Sequence, residues 1–566
     1  MSKDSEHREL RVDITRRDFV AAVAVATTTV AVPSAVAAAP SSAPGAAGPL
    51  TASPLTAGPL TTAPLVREDA LFEKGVAELQ AMMARGELTS RALTERYLQR
   101  IAAMDKQGPA INAVIELNPD AAAIADGLDA ERRAGRVRGP LHGIPVLIKD
   151  NIDSADRMRT TAGSLALADS RPLQDAFIVQ RLRAAGAVLL GKTNLSEWAN
   201  YRSTRSTSGW TGRGGLTRNP YVLDRNCSGS SSGTAAALAA DFATLGIGTE
   251  TDGSIISPAS ICGLVGIKPT LGLWSRSGII PIAASQDTAG PMCRTVADAA
   301  ALLGALTGVD SRDGATKASS GRTVSDYTTF LQAGALRGAR IGVARAQAGF
   351  NPDVDRAFDE AIAAMKDAGA VIVDPASLPT PAALGPAELV VLDYEFKAGL
   401  NAYLATRGSD VAVKSLAELI AWNERERARE MPWFGQEIFL RAQKSGPLTD
   451  KKYLDARATC LRLTRAQGID AVMAKHRLDA IVLPSNQPAW TTDLLNGDHF
   501  TGGDTTYASV AGYPSITVPM GMVHGLPVGM SLLGRAWQEG RLISYAFAFE
   551  QATKARRTPR YSVTLG

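Results

Sequence analysis

Short apolar runs separated by glycine-rich turns recur along the chain, and they alternate with stretches of helical period. Val146, Leu147 and Ile148, the run 243–247, and the runs 187–190, 264–267, 341–343, 480–483 and 515–518 read as buried strands. Leu93, Tyr97, Leu98 and Ile101 recur at helix spacing behind Thr89 and Ser90, residue types that cap helices, so a helix opens there and packs this face on the core. Helical period also covers 296–306 and 354–368. Strands interleaved with helices predict an α/β domain built on a mixed sheet. From 382 to 467 the pattern is mostly helical and rich in charge, as in ELIAWNERERAREM. It reads either as a solvated helical layer or as the wall of a substrate entrance.

The first 66 residues follow neither period. Arg16 and Arg17, then Phe19, an apolar run to Val32 and the small residues Ala35, Val36 and Ala37 read as a twin-arginine export signal over 1–39. The apolar run is short, interrupted by Pro33 and diluted by alanine and threonine, so no stable membrane anchor is expected. Pro49, Pro54, Pro59 and Pro64, each followed by leucine, then recur every five residues. This Pro/Ala/Thr-rich tract, 40–66, cannot bury enough surface to fold and reads as a linker. The folded domain is expected over 67–566, delivered by the export machinery to the periplasm, the cell envelope or the exterior.

With 566 residues and 45% hydrophobic content the chain can bury a large core, and one large domain is expected in preference to several. Its 60 basic and 56 acidic residues leave a net charge of only +4, and no basic stretch is interleaved with aromatics, so nucleic acid is not an expected partner. Cys227, Cys262, Cys293 and Cys460 form no CxxC pair and have no histidine at metal spacing, so neither a metal nor another cofactor is expected. Twin-arginine export carries proteins already folded, so all four are expected to be thiols.

Candidate chemistry concentrates between 225 and 254, where two serines stand in separate glycine-supported turns. The turn 228–233 leads into an alanine-rich helix, and the turn 249–254 follows the strand 243–247. Gly229, Gly233 and Gly253 mark positions where the chain can bend sharply or approach a ligand. Upstream, Lys149 ends the apolar run of HGIPVLI; a lysine carried into an interior must be paired or neutral, and a neutral lysine can act as a base. Ser230 and Ser254 taken singly are ordinary cap and turn residues. Their occurrence together with Lys149 makes an activated serine possible. A Ser-His-Asp triad lacks support: His142, His476, His499 and His524 are scattered, and no GxSxG elbow lies beside them. His142 is expected to pack or hydrogen-bond within its turn, and Lys268, in GIKPT, to be structural.

The motifs TSRALTERYLQRI, LHGIPVLIKDNID, GKTNLSEW, GSSSG, GTETDGSI, CGLVGIKPT and QDTAGPM, in this order, resemble the amidase signature family. The resemblance runs from about 71 to 310 and from about 478 to 555. It implies a single large amidase-signature α/β domain, a mixed twisted β-sheet covered by helices on both sides. It also implies a Ser/cis-Ser/Lys triad with Ser254 as nucleophile, Ser230 as the bridging cis-serine and Lys149 as base. The backbone N–H groups of Thr251, Asp252, Gly253 and Ser254 would stabilise the oxyanion. Ser228, Ser232 and Asp252 stand where the family has glycine, which leaves the shape of both turns open. TETDGS, PAWTTDLLNGDH and DYEFKAGLNAYLA are most similar to the peptide amidase branch.

By that resemblance Asn200, in EWANYRS, lines the substrate cleft, where its amide can pair with a carboxamide; a turn asparagine is the plainer reading. Ser231, Trp490 and Asp493 are further candidates for the pocket, with helix capping an equal reading of Ser231. The implied reaction is hydrolysis of a carboxamide to a carboxylate and ammonia through an acyl-enzyme, at the C-terminal amide of peptides. A broad aliphatic or aryl acylamidase of the same family is the alternative. A catalytically silent surface binding protein is the alternative of another class, and the presence of Lys149, Ser230 and Ser254 argues against it. An amidotransferase component of the transamidosome type would work in the cytoplasm with partner chains, which the export signal disfavours.

Overall fold

A computed structural model describes residues 69–565. The expected export signal and linker, 1–39 and 40–66, lie outside the described residues. Thirteen strands are described in chain order. The first five are β1 Val114–Leu117, β2 Pro145–Lys149, β3 Val188–Thr193, β4 Trp210–Thr211 and β5 Gly215–Leu216. There follow β6 Leu245–Glu250, β7 Val265–Lys268, β8 Thr288–Cys293, β9 Arg340–Val343 and β10 Val371–Val373. The last are β11 Ala480–Pro484, β12 Ser515–Val523 and β13 Leu526–Leu533. β4 and β5 pair alone, and the other eleven form one sheet ordered β1-β3-β2-β6-β8-β7-β12-β13-β11-β9-β10. It is mixed as expected: β2 runs parallel to β3 and β6, whereas β8, β7, β12 and β13 are antiparallel to their neighbours.

β2 and β6 are buried at every residue. Successive side chains of a strand point to opposite faces, so burial without alternation requires cover on both faces. The helices Ser90–Met104 and Ser232–Ala239 both pack on β2. The first begins where the sequence predicts, with the Thr89 side chain accepting from the Ala92 N–H. The helices Val296–Ala305 and Pro352–Asp367 match the predicted 296–306 and 354–368 to within two residues at each end.

Of the predicted strands, β3, β6 and β12 run well past their expected ends, and β1, β4, β5, β8, β10 and β13 have no counterpart among the predicted runs. The predicted 243–247 lies at 245–250, because Thr249 and Glu250 continue the ladder opposite Ala289 and Thr288. The strand therefore runs into the turn 251–254 without a break. β12 extends to Val523 and turns back into β13 through His524 and Gly525, both at positive φ, the conformation of a tight hairpin turn.

The helical stretch after 382 is more than solvated cover. Phe396 and Leu400 of helix Leu384–Ala405 and Phe439 of helix Glu437–Gln443 share an apolar cluster with Trp198 and Tyr201. Phe396 stacks on Phe439 with ring centres 5.3 Å apart, and Trp198 meets Phe439 edge-on at 5.9 Å. The layer thus holds the segment that carries Asn200. Among the described residues no helix is long and apolar enough to cross a membrane. All four cysteines are buried thiols.

Candidate active site

Lys149 is the last residue of β2, a strand buried at every residue, and is itself 0% exposed. Its Nζ lies 2.8 Å from Ser230 Oγ, 3.0 Å from Ser231 Oγ and 3.0 Å from Thr249 Oγ1, with the Thr249 carbonyl at 3.3 Å. Burial pushes its pKa down to about 7, against the opposing pull of the Glu250 and Asp287 charges.

The two buried hydroxyls come from the turn preceding helix Ser232–Ala239. The Gly229–Ser230 peptide bond is cis, as the family resemblance implies for Ser230. A Cβ on Gly229 would come within 2.1 Å of Ser196 Oγ, so only glycine fits there. Ser228, at a family glycine position, adopts a φ of +57°. Its N–H donates to Asn226 Oδ1 (2.6 Å) and its carbonyl accepts from Ser232 Oγ (2.5 Å). The Ser230 carbonyl accepts from the Ser196 N–H at 2.9 Å.

The second turn is held from three directions. The Glu250 carboxylate accepts from the N–H groups of Ile255 (2.7 Å) and Ile256 (2.9 Å), closing the chain around 251–254. Thr251 Oγ1 donates to Asp287 Oδ1 (2.5 Å), a carboxyl that burial pushes up to about 6. Asp252, the other departure from glycine, accepts from the hydroxyls of Thr505 (2.5 Å) and Thr506 (2.7 Å). Gly253 has a φ of +82°, and a Cβ there would meet Thr505 Oγ1 at 2.8 Å. The Thr251, Gly253 and Ser254 N–H groups donate to no protein acceptor among the described residues. Ser254 is 8% exposed, and its hydroxyl has no hydrogen-bond partner among the described residues. Its carbonyl accepts from the Ser231 N–H at 3.1 Å, which fastens the two serine turns together.

Lys149, Ser230 and Ser231 therefore meet directly, and Ser254 joins them through the backbone. Ser231 stands at the N-cap position, but its hydroxyl makes no capping hydrogen bond: it accepts from Lys149 and from the Thr249 N–H (3.2 Å), and donates to the Thr249 carbonyl (3.1 Å). A cavity with room for about one water molecule lies alongside, lined by residues that include Asn151, Ala199, Thr249, Thr251 and Asp287. Ala199 brings the loop of Asn200 to the turn 251–254.

Asn200 is half-buried at a φ of +69°, its Nδ2 donating to Ser208 Oγ (2.9 Å) and its Oδ1 accepting from Ser206 Oγ (3.0 Å). Trp490 is buried, its indole N–H directed to Asp498 at 3.3 Å and its ring edge-on to Phe500. Asp493 caps its own turn through the N–H groups of Leu495 and Asn496, both at 2.9 Å. The His142 ring is spent on the Leu128 carbonyl (2.9 Å), and Lys268 Nζ on the Pro269 carbonyl (3.2 Å). Reading the sequence assigned no role to Thr249, Glu250, Asp287, Ser208 or Asp498. The first three lie inside GTETDGSI and QDTAGPM, whose order carried the resemblance but whose side chains find partners only in the fold: Thr249 with Lys149, Glu250 with Ser509 and Asp287 with Thr251.

The amidase family profile matches residues 92–543. Native peptide amidase from Stenotrophomonas maltophilia is 52% identical in sequence and similar in structure, with a TM-score of 0.83 over 87% of this chain and 99% of that one. A probable amidase of Arabidopsis thaliana is 40% identical over 499 residues, 86% of this chain and 92% of the relative. An amidase family protein from Bacillus anthracis is 37% identical, with a TM-score of 0.79 over 86% of this chain and 92% of that one. A chain that shares this sheet and matches these relatives over most of its length belongs to the amidase family and is an amide-hydrolysing enzyme.

Proposed function

We propose that the enzyme hydrolyses the C-terminal carboxamide of peptides to a carboxylate and ammonia, through an acyl-enzyme on Ser254. The observation that carries this reading is the 2.8 Å contact between a fully buried Lys149 Nζ and Ser230 Oγ, with no carboxylate at hydrogen-bond distance from the amine. A neutral amine has two N–H groups and one lone pair. Ser231 Oγ already donates to the Thr249 carbonyl, so it accepts one N–H of Lys149, and Thr249 accepts the other. The lone pair is left for the hydroxyl hydrogen of Ser230, which makes Ser230 the group that Lys149 deprotonates.

Ser254 Oγ then attacks the carboxamide carbon, passing its proton to Ser230 Oγ as Ser230 passes its own to Lys149. The carbonyl oxygen takes the negative charge, and the N–H groups of the turn 251–254 stabilise it, a contribution of about 3 kcal/mol per donor in comparable sites. Collapse breaks the C–N bond, and ammonia leaves with the proton returned through Ser230. Water repeats the sequence on the ester, so hydroxyls, one amine and backbone donors suffice. The open Ser254 hydroxyl suits this sequence, since catalytic hydrogen bonds commonly tighten only when substrate binds.

The 52% identity to a peptide amidase, against 37–40% to the other two relatives, supports peptide amides as the substrate class. Ammonia release across a panel of peptide amides, simple aliphatic amides and anilides tests it. Preferential turnover of peptide amides is expected; equal turnover of anilides would support a broad acylamidase. We further propose export by the twin-arginine route, on the pair Arg16 and Arg17 and the apolar run behind it. Replacing both arginines with lysine should leave the precursor inside the cell, and normal export of that variant would contradict the proposal.

A further inference from the structure

The carboxylate of Asp498 receives five hydrogen bonds and gives none. Its Oδ1 accepts from the Ser208 N–H (3.0 Å), Trp490 Nε1 (3.3 Å) and Asn226 Nδ2 (3.5 Å). Its Oδ2 accepts from the Ser208 N–H (3.1 Å) and, most closely, from the Ser208 hydroxyl (2.5 Å). The groups that face it are all neutral. Asp493, on the same loop, is spent on the turn 495–496, and His499 is exposed.

The direction of donation propagates. Having spent its hydrogen on Asp498, the Ser208 hydroxyl offers Asn200 only lone pairs, so Asn200 must turn Nδ2 toward it and Oδ1 toward Ser206. One N–H of Nδ2 and one lone pair of Oδ1 then remain in a fixed order. The same carboxylate reaches the catalytic turn through Asn226, which donates to the Ser208 carbonyl (2.9 Å) and accepts from the Ser228 N–H (2.6 Å).

We propose that Asp498 is a positioning residue for substrate recognition: acting through Ser208, it sets which end of the Asn200 amide donates and which accepts toward the peptide group adjoining the scissile carboxamide. This rests on the peptide amidase reading above. Asp498→Asn keeps shape and volume but places an N–H₂ against Ser208. The Ser208 hydroxyl must then donate to Asn200, which reverses that amide.

The test compares wild type, Asp498→Asn and Ser208→Ala on a dipeptide amide and on an aliphatic amide of similar size lacking a peptide bond. In Asp498→Asn the loss of kcat/KM should be larger for the dipeptide amide by at least about tenfold, carried by KM, as expected for an unmatched buried polar partner. Ser208→Ala should show the same selectivity, and the double variant little more. In wild type, KM for the dipeptide amide should rise as pH falls through about 6, where burial has raised the Asp498 carboxyl, and this rise should be absent in Asp498→Asn. Equal losses on both substrates, with thermal stability reduced, would make Asp498 a scaffold residue and overturn the proposal. A wild type that prefers the dipeptide amide and an Asp498→Asn variant that keeps the preference would overturn it alone. A wild type without that preference would overturn it together with the peptide amidase reading.

Discussion

The ends of β2 and β7 carry two fully buried lysines in one sheet, and only the first is equipped for chemistry. Lys149 and Lys268 are each 0% exposed, and burial pushes their pKa values down to about 7 and about 8. Lys149 is ringed by the hydroxyls of Ser230, Ser231 and Thr249. Lys268 has one hydrogen bond, to the Pro269 carbonyl, and the charges of Glu250 and Glu539 favour its ammonium form. Burial makes a neutral lysine accessible near neutral pH. In the proposed mechanism, what converts it into a base is a hydroxyl with a hydrogen to give, placed against the turn 251–254. Lys192 extends the comparison: it is equally buried, but its Nζ meets the Ile152 carbonyl and Thr160 Oγ1, and its charged neighbours are Asp150 and Asp153.

Substituting the two lysines in parallel sharpens this contrast most. Lys149→Met should lower kcat by at least about 10³-fold, the scale of losses for members of a catalytic unit, whereas Lys268→Met should cost less than about tenfold in rate and act mainly on thermal stability. Comparable rate losses in the two variants would erase the distinction. The proposed mechanism puts Lys149 and Ser230 on one proton path, so Lys149→Met combined with Ser230→Ala should lose little beyond the worse single change. Losses that add in log kcat would separate the two residues.

The pH profile gives a smaller effect with a fixed sign. Only neutral Lys149 accepts a proton, and its neutral fraction grows as pH rises, so kcat/KM should climb through a limb centred near pH 7. The limb should survive Lys268→Met and His142→Ala. Its loss in either variant would move the base away from Lys149. The smallest effect belongs to Ser228, a non-glycine residue at a φ of +57°. Ser228→Gly should relieve backbone strain of about 1 kcal/mol while leaving kcat within a factor of a few. A large loss of rate would show that the Ser228 side chain itself supports the turn.

Much of this was legible in the sequence. Lys149, Ser230 and Ser254 stand out because a lysine ending an apolar run and serines beside glycines are local patterns, and the structure brings their turns together. β13 was missed because Pro527 and Gly529 interrupt an apolar run that only pairing with β12 turns into a strand. Asn200 and Trp490 were visible as residues but not as partners. Asp498 stands inside PAWTTDLLNGDH, but no local pattern gives its role, since the Ser208 it holds lies 290 positions away. The glycine departure at Asp252 likewise depended on distant groups, Thr505 and Thr506, beyond the reach of any motif, whereas Ser228 is held locally by Asn226 and Ser232.

The most direct measurement is the rate and site of covalent labelling by a fluorophosphonate, followed by intact-mass and peptide mass spectrometry on wild type, Ser254→Ala and Lys149→Met. One adduct on Ser254 is expected in wild type, none in Ser254→Ala, and labelling slowed by at least about 10²-fold in Lys149→Met, because the probe reads hydroxyl activation without requiring the amide substrate. An adduct on another residue, or labelling of Lys149→Met at the wild-type rate, would contradict a Ser254 nucleophile activated by Lys149.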